Sequence, residues 1–200
     1  MSLVAIVLAG GASSRFGTDK LAADLDGRPV LHHALEAVAA MSNHIVVVVA
    51  PEAPVPPMPA ALARVVAVAR DDFAHAGPLA GLAAGLAVLP PDTEIAIVVG
   101  GDMPSLQPAV LRLLAEALDA DLALGAATLE ADPSAVLPMA VRPSVAAPAV
   151  AALLAANRRA LRGLLAVVPS VIVPAATWRG LDPAAHTLRD IDTPEDLAGH

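Results

Sequence analysis

Two hundred residues with a formal net charge of −8, no cysteine and three aromatic side chains leave room for one substantial core and close off several classes of function. Nonspecific nucleic-acid binding needs clustered basic groups and stacking rings, which an acidic chain with only Phe16, Phe73 and Trp178 does not provide, and disulfides and cysteine-bound metals are excluded. The 56% apolar content looks membrane-like, but the uncharged runs are broken, as 76–91 is by Gly77, Pro78, Gly81, Gly85 and Pro90, and fall short of the about 20 apolar residues a spanning helix needs. No basic region precedes the first apolar run, which is strand-length, so a secretory signal is not expected. The expectation is one cytoplasmic domain over residues 1–200, without nucleic-acid or membrane partners.

Leu3 to Leu8 is continuously apolar and β-branched at Val4, Ile6 and Val7, the pattern of a strand buried on both faces. After a loop of small residues, Leu21 to Leu25 gives a short extended piece closed by Asp26-Gly27, and Pro29 suits the first position of a helix striped by Val30, Leu31, Ala34, Leu35 and Val38. His44 to Ala50 follows, with Val46 to Val49 as a second buried strand. The prolines from Pro51 to Pro59 forbid a central strand and form a stiff surface connection. Val65 to Val68 makes a third strand, Pro78 to Leu89 a helix, and Glu94 to Val99 a strand running into Gly100-Gly101-Asp102-Met103-Pro104. A helix from Pro108 to Leu118, strands at Leu122 to Ala127 and Ala135 to Val141, and helices at Ser144 to Ala155 and Arg159 to Leu165 follow. The chain ends with a strand at Val171 to Val173, an extended Thr187 to Ile191, and a helix capped by Thr193 with Pro194 at its first position. Strands alternating with helices predict an α/β three-layer sandwich with a mostly parallel central sheet, to which the late strand pair adds an antiparallel edge.

The chemistry concentrates in V-L-A-G-G-A-S-S-R-F-G-T-D-K, from Val7 to Lys20. Glycines let backbone N–H groups approach an anion, and Arg15 and Lys20 add the charge that dipoles alone lack. Of the twelve basic side chains eleven are arginine; the single lysine is Lys20, inside this loop. A Walker loop requires Gly-Lys-Ser/Thr, whereas Thr18 and Asp19 separate Gly17 from Lys20. A dinucleotide fingerprint requires G-x-G-x-x-G opening a helix, whereas Gly10 and Gly11 are adjacent and the first clear helix begins near Pro29. A second piece is Asp102, just past the C-terminal end of a buried strand, in the crevice where open α/β sheets bind ligands. Magnesium prefers a few carboxylates plus phosphate oxygens, which makes Asp102 its natural ligand.

The spacing L-A-G-G-x-S-x-R-x-G-x-D-K resembles the signature loop of nucleotidyltransferases similar to molybdenum-cofactor guanylyltransferase, the MobA-like family, and Asp102-x-Pro104 extends the likeness. The resemblance implies a Rossmann-like nucleotidyltransferase fold of the nucleotide-diphospho-sugar transferase type. It also implies a Mg2+-dependent transfer of GMP from GTP to the phosphate of a molybdopterin-type cofactor, releasing pyrophosphate, and partners among molybdoenzyme apoproteins or cofactor-biosynthesis proteins. Mapped onto this chain, Leu8, Ala9 and Gly10 would line the nucleoside, while Gly11, Ser13, Arg15 and Lys20 would face the triphosphate, with Arg15, Lys20 and Asp102 serving the reaction. Phe16 stands where methionine is usual in the family. Gly77-Pro78-Leu79-Ala80-Gly81 resembles the guanylyltransferase branch rather than the branch using cytidine triphosphate, and either Asp71 or Asp72 would contact the nucleotide. In Arg189-Asp190-Ile191-Asp192-Thr193-Pro194 the family often has asparagine where this chain has Asp190 and Asp192; Asp192 becomes a second metal contact, and Asp190 either pairs with Arg189 or faces solvent. Alternatives with the same chemistry are a cytidylyltransferase for that cofactor or a sugar- or alcohol-phosphate nucleotidyltransferase; an alternative of another class is a non-catalytic nucleotide-binding or cofactor-delivery protein. His32 and Glu36, four apart on a helix, read as a solvated face rather than a metal pair, and Arg158, Arg159 and Arg162 as either an anionic-acceptor patch or a charged surface.

Overall fold

The runs richest in β-branched residues become the middle of a seven-stranded sheet. A computed structural model describes residues 2–10, 19–71, 77–132 and 135–198. In chain order its strands and α-helices are β1 (Leu3–Leu8), β2 (Asp24–Leu25), β3 (Arg28–Pro29), α1 (Val30–Ala39), β4 (Ile45–Val49), β5 (Val66–Arg70), α2 (Pro78–Ala87), β6 (Ile95–Gly100), α3 (Pro108–Asp119), β7 (Ala126–Leu129), β8 (Met139–Val141), α4 (Pro143–Ala155), α5 (Arg162–Leu165), β9 (Ser170–Val173), α6 (Ala175–Trp178) and α7 (Pro194–Ala198). The large sheet has the order β5-β4-β1-β6-β8-β7-β9, and β2 and β3 form a separate hairpin. β1 runs parallel to β4 and β6, β4 to β5, and β7 to β9; β8 alone is antiparallel to its neighbours β6 and β7.

Because a parallel strand is covered on both faces, alternate side chains enter two different cores. Ala5, Val7, Val47, Ile97 and Val99 meet α1 and α3 through Leu31, Leu35, Leu111 and Leu114. Val4, Ile6, Val46, Val48 and Val98 meet α2 and α4 through Leu79, Leu82, Val150 and Leu153. The result is the expected three-layer α/β sandwich. Gly85 explains how closely α2 lies on the sheet, since a Cβ there would sit 2.7 Å from Cγ2 of Ile6.

Several expectations are corrected. The antiparallel strand is not an edge: β8 is inserted between β6 and β7, and the far edge is the parallel strand β9. Thr187 to Ile191 is not extended throughout; His186–Leu188 is a 3-10 turn, and extended backbone resumes at Arg189. Pro29 is the cap before α1 rather than its first residue. The turn at Asp26 and Gly27 does form, with φ of 53° and 78°.

The segment after β9 crosses back over the sheet under tight constraint. Trp178 is fully buried and donates its indole N–H to the carbonyl of Glu130 at 3.2 Å. Asp182, 5% exposed, accepts backbone N–H bonds from His186 at 3.0 Å and Thr187 at 2.7 Å. Burial by itself would raise the Asp182 pKa, but the Thr187 and His186 donors outweigh it and hold the carboxyl below its ordinary value. Thr187 Oγ1 in turn accepts the N–H of Gln107 at 3.1 Å, tying this segment to the start of α3. At its end α7 starts after Thr193 as expected, but the acceptor is Asp196, which takes the backbone N–H groups of Asp192 and Thr193 and the Thr193 hydroxyl.

Candidate functional site

The order β5-β4-β1-β6 creates a switch point. From β1 the chain steps outward through β4 to β5, then returns to place β6 on the other side of β1. Loops leaving the two central strands therefore diverge and open a crevice at their carboxyl ends. Leu8 and Gly100 are register partners at that end, and the N–H of Gly101 donates to the carbonyl of Leu8 at 2.9 Å.

Each small residue here has a specific neighbour. A Cβ on Gly10 would lie 3.2 Å from the amide nitrogen of Ala50, so glycine lets the chain leaving β1 pass close to the end of β4. At Gly100 a Cβ would collide with the Asp102 Oδ1 atom, so the glycine lets the carboxylate fold back over the end of β6. A Cβ on Gly81, at the start of α2, would lie 3.4 Å from the Leu8 side chain, so α2 packs against the end of β1 from 73 positions away.

The charged centre is built around Lys20. Its ammonium lies 2.7 Å from Oδ2 of Asp102 and 2.9 Å from Oδ1 of Asp192. The Lys20 side chain is only 13% exposed, against 25% for Asp102 and 50% for Asp192. Burial pulls the Lys20 pKa down, but the hydrogen bond and charge of Asp102, and then those of Asp192, reverse the sign and leave it raised. Asp190, although open to solvent overall, has its pKa raised by burial of the carboxyl and by the charges of Asp192 and Asp102. The carboxyl-terminal segment is pinned to the centre by the Ile191 N–H, which donates to the Asp102 carbonyl at 2.9 Å.

A model of the MobA-like NTP transferase domain matches residues 5–171. The chain belongs to the MobA-like NTP transferase family. A probable molybdenum cofactor guanylyltransferase of Chloroflexus aggregans is 31% identical over 201 residues, covering 98% of this chain and 92% of the relative. A relative of the same description from Methanosarcina acetivorans is 29% identical over 198 residues, covering 96% and 87%. Among solved structures, molybdopterin-guanine dinucleotide biosynthesis protein A from Archaeoglobus fulgidus superposes with a TM-score of 0.78 at 23% identity over 98% of this chain and 95% of that one.

Of the residues that the family signature singles out, Gly11, Ser13 and Arg15 lie outside the described residues, as does Asp72. Leu8, Ala9 and Gly10 leave β1 with rising exposure, Gly10 being open to solvent. Lys20, Asp102 and Asp192 come together; Asp71 stands past the end of β5, its N–H donating to the Val49 carbonyl at 3.0 Å. Gly77 adopts φ 84°, and Pro78 occupies the first turn of α2, exposed. The Leu79 side chain is fully buried and its N–H donates to the Arg159 carbonyl at 3.2 Å, so it fixes the start of α2 from behind. That carbonyl is a contact with no signal in the sequence, because α2 borrows a cap from a turn eighty positions away. Arg159's guanidinium is engaged by the Asn157 side chain at 3.1 and 3.3 Å. His32 bonds to the Pro57 carbonyl and Glu36 pairs with Arg28, so they do not form a metal pair. Asp182 is a second residue that sequence reasoning passed over; its only signal is an acid a few positions ahead of a tight turn.

The donor set at Lys20 suits a hard cation. Two carboxylate oxygens already converge on one positive group, and among the described residues no cluster of three or more acidic or histidine side chains could hold a metal by itself. Magnesium bound through one or two carboxylates, with water and phosphate oxygens completing its shell, has that requirement.

Proposed function

We propose that this chain is a nucleotidyltransferase that moves GMP from GTP to the terminal phosphate of a molybdopterin-type cofactor and releases pyrophosphate, acting as one cytoplasmic domain over residues 1–200. The observation that carries the reading is the convergence of Lys20, Asp102 and Asp192 at the β1/β6 switch point. Membership of the family and the relatives described as molybdenum cofactor guanylyltransferases support the substrates.

The acceptor phosphate is already an oxyanion. One of its oxygens attacks the α-phosphorus of GTP, the bond from that phosphorus to the bridging oxygen breaks, and pyrophosphate leaves with the electron pair. No proton must be abstracted, so positioning and charge neutralisation supply the catalysis. Asp102 and Asp192 would hold Mg2+, which when bound neutralises triphosphate charge and fixes the phosphate oxygens. Lys20 and Arg15 balance the charge that develops on the departing pyrophosphate. Leu8, Ala9 and Gly10, with Gly77 to Gly81 behind and beside them, form the wall against which the nucleoside packs. Among the described residues no helix is long and apolar enough to cross a membrane.

Pyrophosphate release with molybdopterin-type cofactor and each of the four nucleoside triphosphates tests the reading. GTP is expected to support turnover and CTP to be at least about tenfold poorer in kcat/KM, the discrimination available from one or two polar base contacts. Equal or better turnover with CTP would remove the guanylyltransferase assignment, and GTP binding without pyrophosphate release would point to a carrier.

A further inference from the structure

Lys20 occupies the space between the two carboxylates to which a divalent cation would have to bind. Its ammonium is within 2.9 Å of both, and a metal ion held by the same two carboxylates would compete with it for that space. The two cations cannot share that position. We propose that Lys20 is an internal counter-ion that closes the carboxylate pair to free divalent metal, so that the site accepts metal only together with a triphosphate, which draws the ammonium away.

Three further observations support the exchange. First, two carboxylates converge on a single lysine, and the centre needs a cation to limit their mutual repulsion. Second, the partners are graded in exposure: Asp192 is half open while Lys20 is largely covered, so the ammonium can leave Asp192 first, toward an incoming phosphate, and then Asp102, freeing both carboxylates. Third, Lys20 opens the 3-10 turn Lys20–Ala22, whose start is fixed by Asp19 accepting the Leu21 N–H at 3.0 Å. The backbone is therefore held while the long side chain reorients. Arginine would serve poorly here, since its planar fork favours a fixed bidentate pair, whereas a lysine ammonium is a compact charge on a flexible stem. That contrast gives a reason for the single lysine of the chain to stand at this position.

The inference rests on the proposal that Asp102 and Asp192 bind the metal, and the test separates the two. Mn2+ binding is measured by electron paramagnetic resonance and calorimetry, with and without GTP, on wild-type protein, Lys20→Met and Asp102→Asn, after thermal melts show each to be folded. Wild type is expected to bind Mn2+ at least about tenfold more tightly with GTP present, because a competing positive charge about 3 Å from each ligand oxygen is removed. Lys20→Met is expected to bind Mn2+ in the absence of GTP at least about tenfold more tightly than wild type under the same condition. Lys20→Gln, also neutral, should reproduce the gain if the methionine variant does not fold. If Asp102→Asn abolishes GTP-dependent Mn2+ binding but neither lysine variant gains affinity for the free ion, the counter-ion role is overturned while the metal site stands. If Asp102→Asn leaves GTP-dependent binding unchanged, the metal assignment itself fails, and the counter-ion role with it.

Discussion

The two halves of the sheet contribute to the same crevice by different physical routes. In β5-β4-β1-β6 the site residues sit directly on strand ends: Gly10 and Asp102 are each two residues past a strand buried on both faces, and their positions are inherited from the parallel ladder. In β8-β7-β9 no strand end reaches the centre. This half delivers Asp190 and Asp192 on a tether of some twenty residues, fastened at Trp178, Asp182, Thr187 and Ile191. A strand end is fixed by many ladder bonds, so single substitutions in the first half should act on chemistry and leave stability nearly intact. The tether hangs on a few buried polar contacts, so substitutions there should act on stability first and on the site through it.

The largest effect is expected where the first half meets the phosphates. Asp102→Ala should lower kcat/KM for pyrophosphate release by at least about a hundredfold, the loss typical of removing a group that organises transition-state charge, while the melting temperature stays within a few degrees. A variant with near-normal turnover would break the assignment of Asp102, and one that unfolds would break the contrast between the halves.

Asp182→Asn reverses that pattern. The amide nitrogen would face one of the two backbone donors that the carboxylate now satisfies, in a position 5% exposed. Loss of such a charge-assisted bond costs about 2 kcal/mol, or about 4–8 °C in melting temperature for a chain of this size. The sign with pH follows from the lowered folded-state pKa. Stability from Asp182 is present above the unfolded-state value and is lost as pH falls through the folded-state value. Thermal melts should therefore show the full gap between wild type and variant at neutral pH, narrowing below about pH 4. An unchanged melting temperature at neutral pH would mean that the tether is held elsewhere.

The same contrast explains what could be read from the sequence. β1, β4 and β6 announce themselves as continuous β-branched runs, so the parallel half was legible in the sequence, and the rule that ligands gather at strand ends singles out Asp102, which stands two residues past β6. β8 was expected at an antiparallel edge, because the run ending at Val141 does not state which neighbours it pairs with; Met139 to Val141 is instead inserted between β6 and β7, with Ala140 in one core and Met139 and Val141 in the other. Thr187 to Ile191 has a strand-like composition, yet the carboxylate of Asp182 bends its first residues into a turn. Local hydrogen bonds of that kind override propensity without leaving a periodic trace. Likewise, the two carboxylates at 190 and 192 were visible as departures from the family pattern, but the approach of Asp192 to Lys20 goes with the Ile191 to Asp102 bond, which involves only backbone atoms and so has no residue signature.

The smallest effect is expected at Asp190, where the two halves repel each other. Its carboxyl is kept above its ordinary pKa by burial and by Asp192 and Asp102, against which a backbone bond and Lys20 act only partly. Ionising Asp190 is therefore harder in the folded chain than in the unfolded one. The cost is absent below the unfolded-state pKa, grows as pH rises toward the folded-state value and is complete above it. Asp190→Asn removes that cost and restores the amide usual in the family, so at neutral pH the variant should melt higher than wild type, by less than about 2 °C because the group is open to solvent and screened. Below about pH 4 the two proteins should melt together. The gain should also shrink in high salt, since screening already weakens the repulsion that the substitution removes. A variant that melts lower than wild type at neutral pH would mean that Asp190 stabilises the join between the tether and Asp102, and that the repulsion inferred from the three carboxylates is met by a partner stronger than Lys20.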